Sequence, residues 1–149
     1  MRLLSFLVAL FLTIHAAMAN TFSQGTLEIQ TESDVLEFHI EIADDEVERS
    51  RGLMFRESLD EMSGKLFIYP SPRVASFWMN NTLISLDMVF IDAEGRVASI
   101  AAETMPLSLK SVSSGVPVRT VLEIDGGDAE RLGISVGDTV KWTETPIKK

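Results

Sequence analysis

Leu36-Glu37-Phe38-His39-Ile40-Glu41-Ile42 places apolar residues at every second position and polar ones between them. In an extended chain successive side chains point to opposite faces. This is therefore a strand with Leu36, Phe38, Ile40 and Ile42 on a covered face and Glu37, His39 and Glu41 on the other. Upstream, Leu27 and Ile29 alternate with Thr26, Glu28 and Gln30, and Ser33-Asp34 between the two runs reads as a hairpin turn. Downstream, Asp45 caps a helix, with Glu48 three residues on, Arg49 and Arg51 in its last turn and Gly52 as its stop. The loop beyond has room for one helical turn from Glu57 to Met62. Leu66-Phe67-Ile68-Tyr69 is continuously apolar, as a strand covered on both faces should be, and Pro70-Ser71-Pro72 ends it.

The second half continues in strands. Leu86 to Asp92 turns through Ala93-Glu94-Gly95 into Arg96 to Thr104, and Leu107 to Gly115 is a serine-rich connection. Val118, Thr120, Leu122 and Ile124 share one face of a further strand. Asp128 then caps a second short helix stopped by Gly133, and Thr139 to Trp142 is the last strand. The predicted class is α+β: a single compact domain with a mostly antiparallel, barrel-like sheet of about seven short strands and two short helices.

The start of the chain has a different character. Met1-Arg2, an apolar run from Leu3 to Ile14 and the small-residue ending Ala16-Ala17-Met18-Ala19 follow the order of a cleavable signal peptide over residues 1–19. The run is about 12 residues, against roughly 20 needed to span a bilayer as a helix. The globular domain is then 20–149, located in the periplasm or outside the cell. The chain has no cysteine, so neither a disulfide, a thiol nucleophile nor a lipid-bearing cysteine is available. Its net charge of −9 becomes one unit more negative when Arg2 leaves with the leader. Such a domain lacks the basic stripe that phosphate backbones or anionic lipid require, so neither nucleic acid nor, after cleavage, a membrane is an expected partner.

Three groups of residues stand out as chemistry. Asp87 lies inside an apolar run, and a buried carboxylate there needs hydrogen bonds or a cation. It is either a structural acid satisfied by nearby amides or an arginine, or a ligand-binding acid. Trp78 precedes Asn80, Asn81 and Thr82, an aromatic plate beside amides and a hydroxyl, as polar-ligand sites are built; a core tryptophan before a polar turn is the plainer alternative. Arg51 and Arg56 flank Gly52-Leu53-Met54, where a guanidinium fork grips an anion or pairs with a surface acid. His39 with Glu37 and Glu41 is a permissible metal set, but equally an ordinary solvated strand face, and no metal or cofactor is assigned. No nucleophile elbow or phosphate-cradling loop is present.

Arg51-Gly52-Leu53-Met54-Phe55-Arg56, Phe77-Trp78-Met79-Asn80-Asn81-Thr82, Leu86-Asp87-Met88, Val121-Leu122-Glu123 and Gly133-Ile134 to Gly137-Asp138 occur in this order. In these motifs the chain resembles the domain of unknown function 192 family, over about residues 25–143. The resemblance implies a compact, mostly antiparallel α+β fold, often exported, and no particular activity. It draws attention to Arg51, Arg56, Trp78, Asn81, Thr82 and Asp87. Ser85 stands where many relatives have proline, and the segment from Thr104 to Ser114 lacks the cysteines some relatives carry there.

The expectation is a non-catalytic, monomeric binding module for a small polar ligand or an envelope protein, with Arg51, Arg56, Trp78, Asn80, Asn81, Thr82 and Asp87 as ligand-binding residues. The alternative is a small hydrolase in which Asp87, paired with Glu103 or Glu123, does acid and base work.

Overall fold

The structure, a computed structural model, describes residues 22–145, so the expected leader lies outside the described residues. Its elements in chain order are β1 (Ser23–Gln30), β2 (Val35–Ala43), α1 (Glu46–Arg51), β3 (Ser63–Phe77), β4 (Leu86–Ile91), β5 (Val97–Thr104), β6 (Val112–Asp125), α2 (Asp128–Arg131) and β7 (Thr139–Thr145). The seven strands form one sheet in the order β5-β4-β6-β3-β2-β1-β7. Every neighbouring pair is antiparallel except β2 and β3, whose parallel register runs from His39 beside Ser63 to Ala43 beside Phe67. Parallel neighbours need a crossover, and α1 with the loop after it supplies one. The class read from the sequence, α+β with mostly antiparallel strands and two short helices, is what the chain adopts.

The sheet curls until its outer strands touch. Arg96 bridges Thr139, and the amides of Val97 and Val140 donate to the carbonyls of Asp138 and Gly95 at 2.9 and 2.7 Å. A single bridge joins the two edges among the described residues, so the sheet approaches a barrel without a continuous ladder around its circumference.

Both faces of the central strands are covered. Leu27, Ile29, Phe38, Ile40, Ile42, Leu66, Val89, Leu122 and Ile124 form one core. Phe67, Met88, Phe90 and Val121, with Leu53 and Met79 from the loops, form the other. The double cover explains why β3 and β4 read as continuous apolar runs rather than alternating ones.

Three local expectations change. Pro70 and Pro72 do not end β3, which runs on to Phe77. Its pairing with β6 breaks between Ile68 and Arg73, and the prolines, which have no N–H to give, occupy that gap. The residues from Glu57 to Met62 form no helical turn. At α2, Asp128 is the first helical residue and Gly127 the cap position, with no side-chain cap of its own; the cap comes from Asp87.

Candidate functional site

Asp87 is fully buried. Its Oδ2 accepts from the amides of Gly127 and Ala129 at 3.0 and 2.8 Å, and its Oδ1 from the amide of Glu103 at 2.7 Å. The first two amides open α2. The third belongs to a bulge in β5: Leu86 faces Thr104 and Met88 faces Ala101, leaving Ala102 and Glu103 opposite Asp87 alone. Glu103 has a φ of 47°, a conformation that bulky L-residues avoid. One carboxylate thus caps a helix and pins a strained bulge. Asp87 borders none of the cavities described below, and both of its oxygens accept from main-chain amides. It is also unable to pair with Glu123. In the β4–β6 ladder Glu123 sits beside Met88, so its side chain lies on the face opposite that of Asp87.

The other motifs meet at a different place. The α1 C-terminus and the loop after it lean over β3 and β6. Gly52 turns the chain at φ 48°, with Phe67 directly beneath it. The amide of Phe55 donates to the carbonyl of Asn81 at 2.8 Å. Both residues are left-handed, at φ 64° and 53°; asparagine tolerates this and phenylalanine is strained there. That bond ties the Arg51-to-Arg56 loop to the turn after β3. Between them lies a cleft of about 490 Å³, lined among others by Arg51, Arg73, Tyr69, Trp78, Thr82 and Glu123. Small-molecule sites fall in this size range.

Of the residues singled out from the sequence, Arg51, Trp78 and Thr82 line the cleft. Trp78 is 53% exposed, so it is a wall open to solvent rather than a core ring. Asn80 and Asn81 do not border the cleft: their carbonyls accept from Thr82 Oγ1 and the Phe55 amide, which makes them builders of its wall. Arg56 turns away. Its Nη2 donates to both Glu41 oxygens at 2.7 Å, beside a second cavity that His39, Glu41 and Asp60 also border. Leu53 separates the two cavities and lines both. Among the described residues no group of three histidines or carboxylates is placed to hold a metal.

The sequence offers Glu123 only as a partner for Asp87, and Lys65 not at all, yet both set the chemistry of the cleft floor. Glu123 is only 4% exposed and lines the cleft floor. Burial pushes its carboxyl up to about 8, although Lys65 pulls against that shift. Among the described residues it forms no ion pair. Lys65, its cross-strand neighbour, is fully buried and committed elsewhere. Its Nζ donates to the Gly52 carbonyl at 2.9 Å, pairs with Glu41 at 3.1 Å and lies 3.2 Å from the centre of the Phe22 ring. Burial lowers the Lys65 pKa, and Glu41 restores part of the loss. For Glu41, burial alone would raise the pKa, but the Arg56 hydrogen bond and the Lys65 charge outweigh it, leaving the carboxyl below its ordinary value.

Along the rim, Arg49 and Arg73 both lie against the Tyr69 ring, 5.5 and 5.4 Å from its centre. Arg49 is held by the carbonyls of Asp44 and Ile68. Among the described residues Arg51 and Arg73 are in no ion pair. The cleft therefore combines two uncommitted guanidinium groups at its mouth, an aromatic wall and a proton-bearing carboxyl at its base.

A curled seven-stranded α+β sheet with such a cleft under the first crossover defines the structural class. The chain belongs to the domain of unknown function 192 family, DUF192, described as uncharacterized ACR, which matches residues 27–142. Two solved structures are similar. A protein of unknown function from Novosphingobium aromaticivorans DSM 12444 shares 37% identity over 84% of this chain and 89% of its own, with a TM-score of 0.81. A protein from Sinorhizobium meliloti 1021, described as a candidate transcription regulator, shares 32% identity over 82% of this chain and 95% of its own, with a TM-score of 0.80. No curated protein matches the chain.

Proposed function

We propose that this domain works outside the cytoplasm as a non-catalytic binding module, and that its cleft takes a small polar ligand carrying an anionic group. One observation carries the reading. In a chain of net charge −9, the guanidinium groups of Arg51 and Arg73 face a single cleft and pair with no acid among the described residues. Arginine forks left free beside an aromatic wall are suited to a carboxylate or phosphate. Trp78 and Tyr69 offer apolar contact to the rest of the ligand, and Thr82 borders the same space. The candidate-regulator description of the Sinorhizobium relative finds no support in the charge of this chain, whose free arginines line a concavity rather than a stripe.

Fluorescence of Trp78 tests the reading, in a Trp142→Phe background that removes the other tryptophan. Titration with small carboxylates and phosphate esters should shift the emission saturably, and Arg51→Ala with Arg73→Ala should weaken binding about tenfold or more, since charge-assisted hydrogen bonds are lost. No saturable response from any anion would remove the basis of the reading.

The hydrolase alternative loses Asp87 but has one observation in its favour. Glu123 keeps its proton to about pH 8, as a general acid must, and Glu46 also lines the cleft. It predicts turnover of a bound ligand that Glu123→Gln abolishes while binding persists.

A further inference from the structure

Glu123 and the rim arginines share a cleft without satisfying one another. No ion pair joins them, and the influences on the Glu123 carboxyl are burial and Lys65, with no arginine among them. A protonated carboxyl exerts no charge attraction on a guanidinium, and a rigid fold keeps such groups apart. Here the fold does so. Arg49 is anchored on two carbonyls, Arg73 lies on Tyr69, and Glu123 is fixed at the sheet on β6. Lys65, the cation nearest Glu123, is engaged by Glu41 and Gly52. Met88 flanks Glu123 on its other side and offers no donor. Among the described residues no side chain donates to the Glu123 carboxyl, which lines the cleft and is open there to a donor from a ligand.

We infer that the ligand is amphoteric: its anionic end meets Arg51 and Arg73 at the mouth of the cleft, and an ammonium group at its other end meets Glu123 at the base. The volume of about 490 Å³ exceeds what one small amino acid fills, and the Trp78 and Tyr69 rings that line the same space suit a short spacer of low polarity. A short peptide or an ω-amino acid has this layout. The inference rests on the proposed anion-binding function and adds the second pole. It also carries a proton consequence. The groups coupled to Glu123 are Lys65 and Tyr69, both from the neighbouring strand β3. With the carboxyl protonated near neutral pH in the empty cleft, docking of an ammonium drives its ionisation, and the proton leaves to solvent.

Isothermal titration of the mature chain with L-alanyl-L-alanine and with propionyl-L-alanine, which differs by loss of the amine, tests this at pH 7 in buffers of different ionisation enthalpy. The dipeptide should bind about tenfold tighter or more and release about one proton. Glu123→Gln should erase both the advantage and the proton release while leaving propionyl-L-alanine binding in place; L-alanyl-L-alaninamide, which lacks the carboxylate, should bind weakly to every variant. Equal affinity for the two acids, or a dipeptide advantage that survives Glu123→Gln, overturns the amphoteric inference and leaves the anion reading standing. Failure of both acids and of phosphate to bind overturns both.

Discussion

Two buried acids of this domain serve opposite ends, and single substitutions separate them. Asp87 has three amide donors for its two oxygens. Asp87→Ala leaves those donors in the interior without acceptors, each at a cost of about 1–3 kcal/mol. The expected loss is on the order of 3 kcal/mol or more, read as a lower urea midpoint, with α2 and the β5 bulge the first segments to lose protection in amide exchange. Asp87→Asn keeps one acceptor oxygen and should lose less. If either variant retained full stability but lost ligand binding, Asp87 would belong to a site after all. Glu123 has no such donors, so Glu123→Gln should leave the fold intact. Asp87 and Glu123 look alike in sequence, each an acid inside an apolar run. What distinguishes them is the partner on the facing elements, and that was not legible: the amides of Gly127 and Ala129 are about 40 residues away from Asp87. Glu123 lies on the face of β6 opposite that of Leu122 and Ile124. That α1 and its loop cover it depends on the crossover, which no local pattern announces.

At the level of elements, alternation in β1 and β2 was enough to place both strands and their hairpin, since one face of each meets a core and the other meets water. The cap of α1 was equally legible, with Asp45 Oδ1 accepting from the Glu48 amide at 2.8 Å. Legibility failed at β3, where Pro70 and Pro72 suggested an end, because a ladder gap that tolerates proline is set by the partner strand. The turn between β6 and α2 shows the same dependence on a distant element. Gly126 donates to the Ser85 carbonyl at 2.9 Å, and a Cβ there would come within 2.3 Å of Ser85 Oγ and 2.8 Å of Ser85 Cβ. Gly126→Ala should therefore force the two turns apart, weaken the hold of Asp87 on α2 and cost about 1–3 kcal/mol by overpacking. Thermal unfolding of Gly126→Ala beside Gly127→Ala separates the causes. Residue 127 has open space around it and a φ of 93°, so its penalty is conformational alone.

For the molecule as a whole, the absence of cysteine leaves stability to packing and to the few buried charges, and those charges give it a pH profile. Glu41 sits below its ordinary carboxyl pKa in the fold. Its contribution is present above the unfolded value of 4.5 and is lost as the pH falls through the lowered native value. Glu123 has the opposite sign. Raised from 4.5 to about 8, it binds a proton on folding throughout that window, so stability declines as the pH rises from about 4.5 to about 8 and is level beyond. Each unit of such a shift corresponds to about 1.4 kcal/mol, which makes the whole decline a matter of a few kcal/mol. Repulsion among the many surface acids adds a slope of its own, but it is common to the wild type and Glu123→Gln and cancels in their difference. Urea unfolding of both between pH 5 and 9 should show the glutamine variant gaining steadily on the wild type up to about pH 8 and holding a constant lead above it. Parallel profiles would mean that Glu123 is ionised in the native fold at neutral pH, with a donor satisfying it that the geometry does not contain.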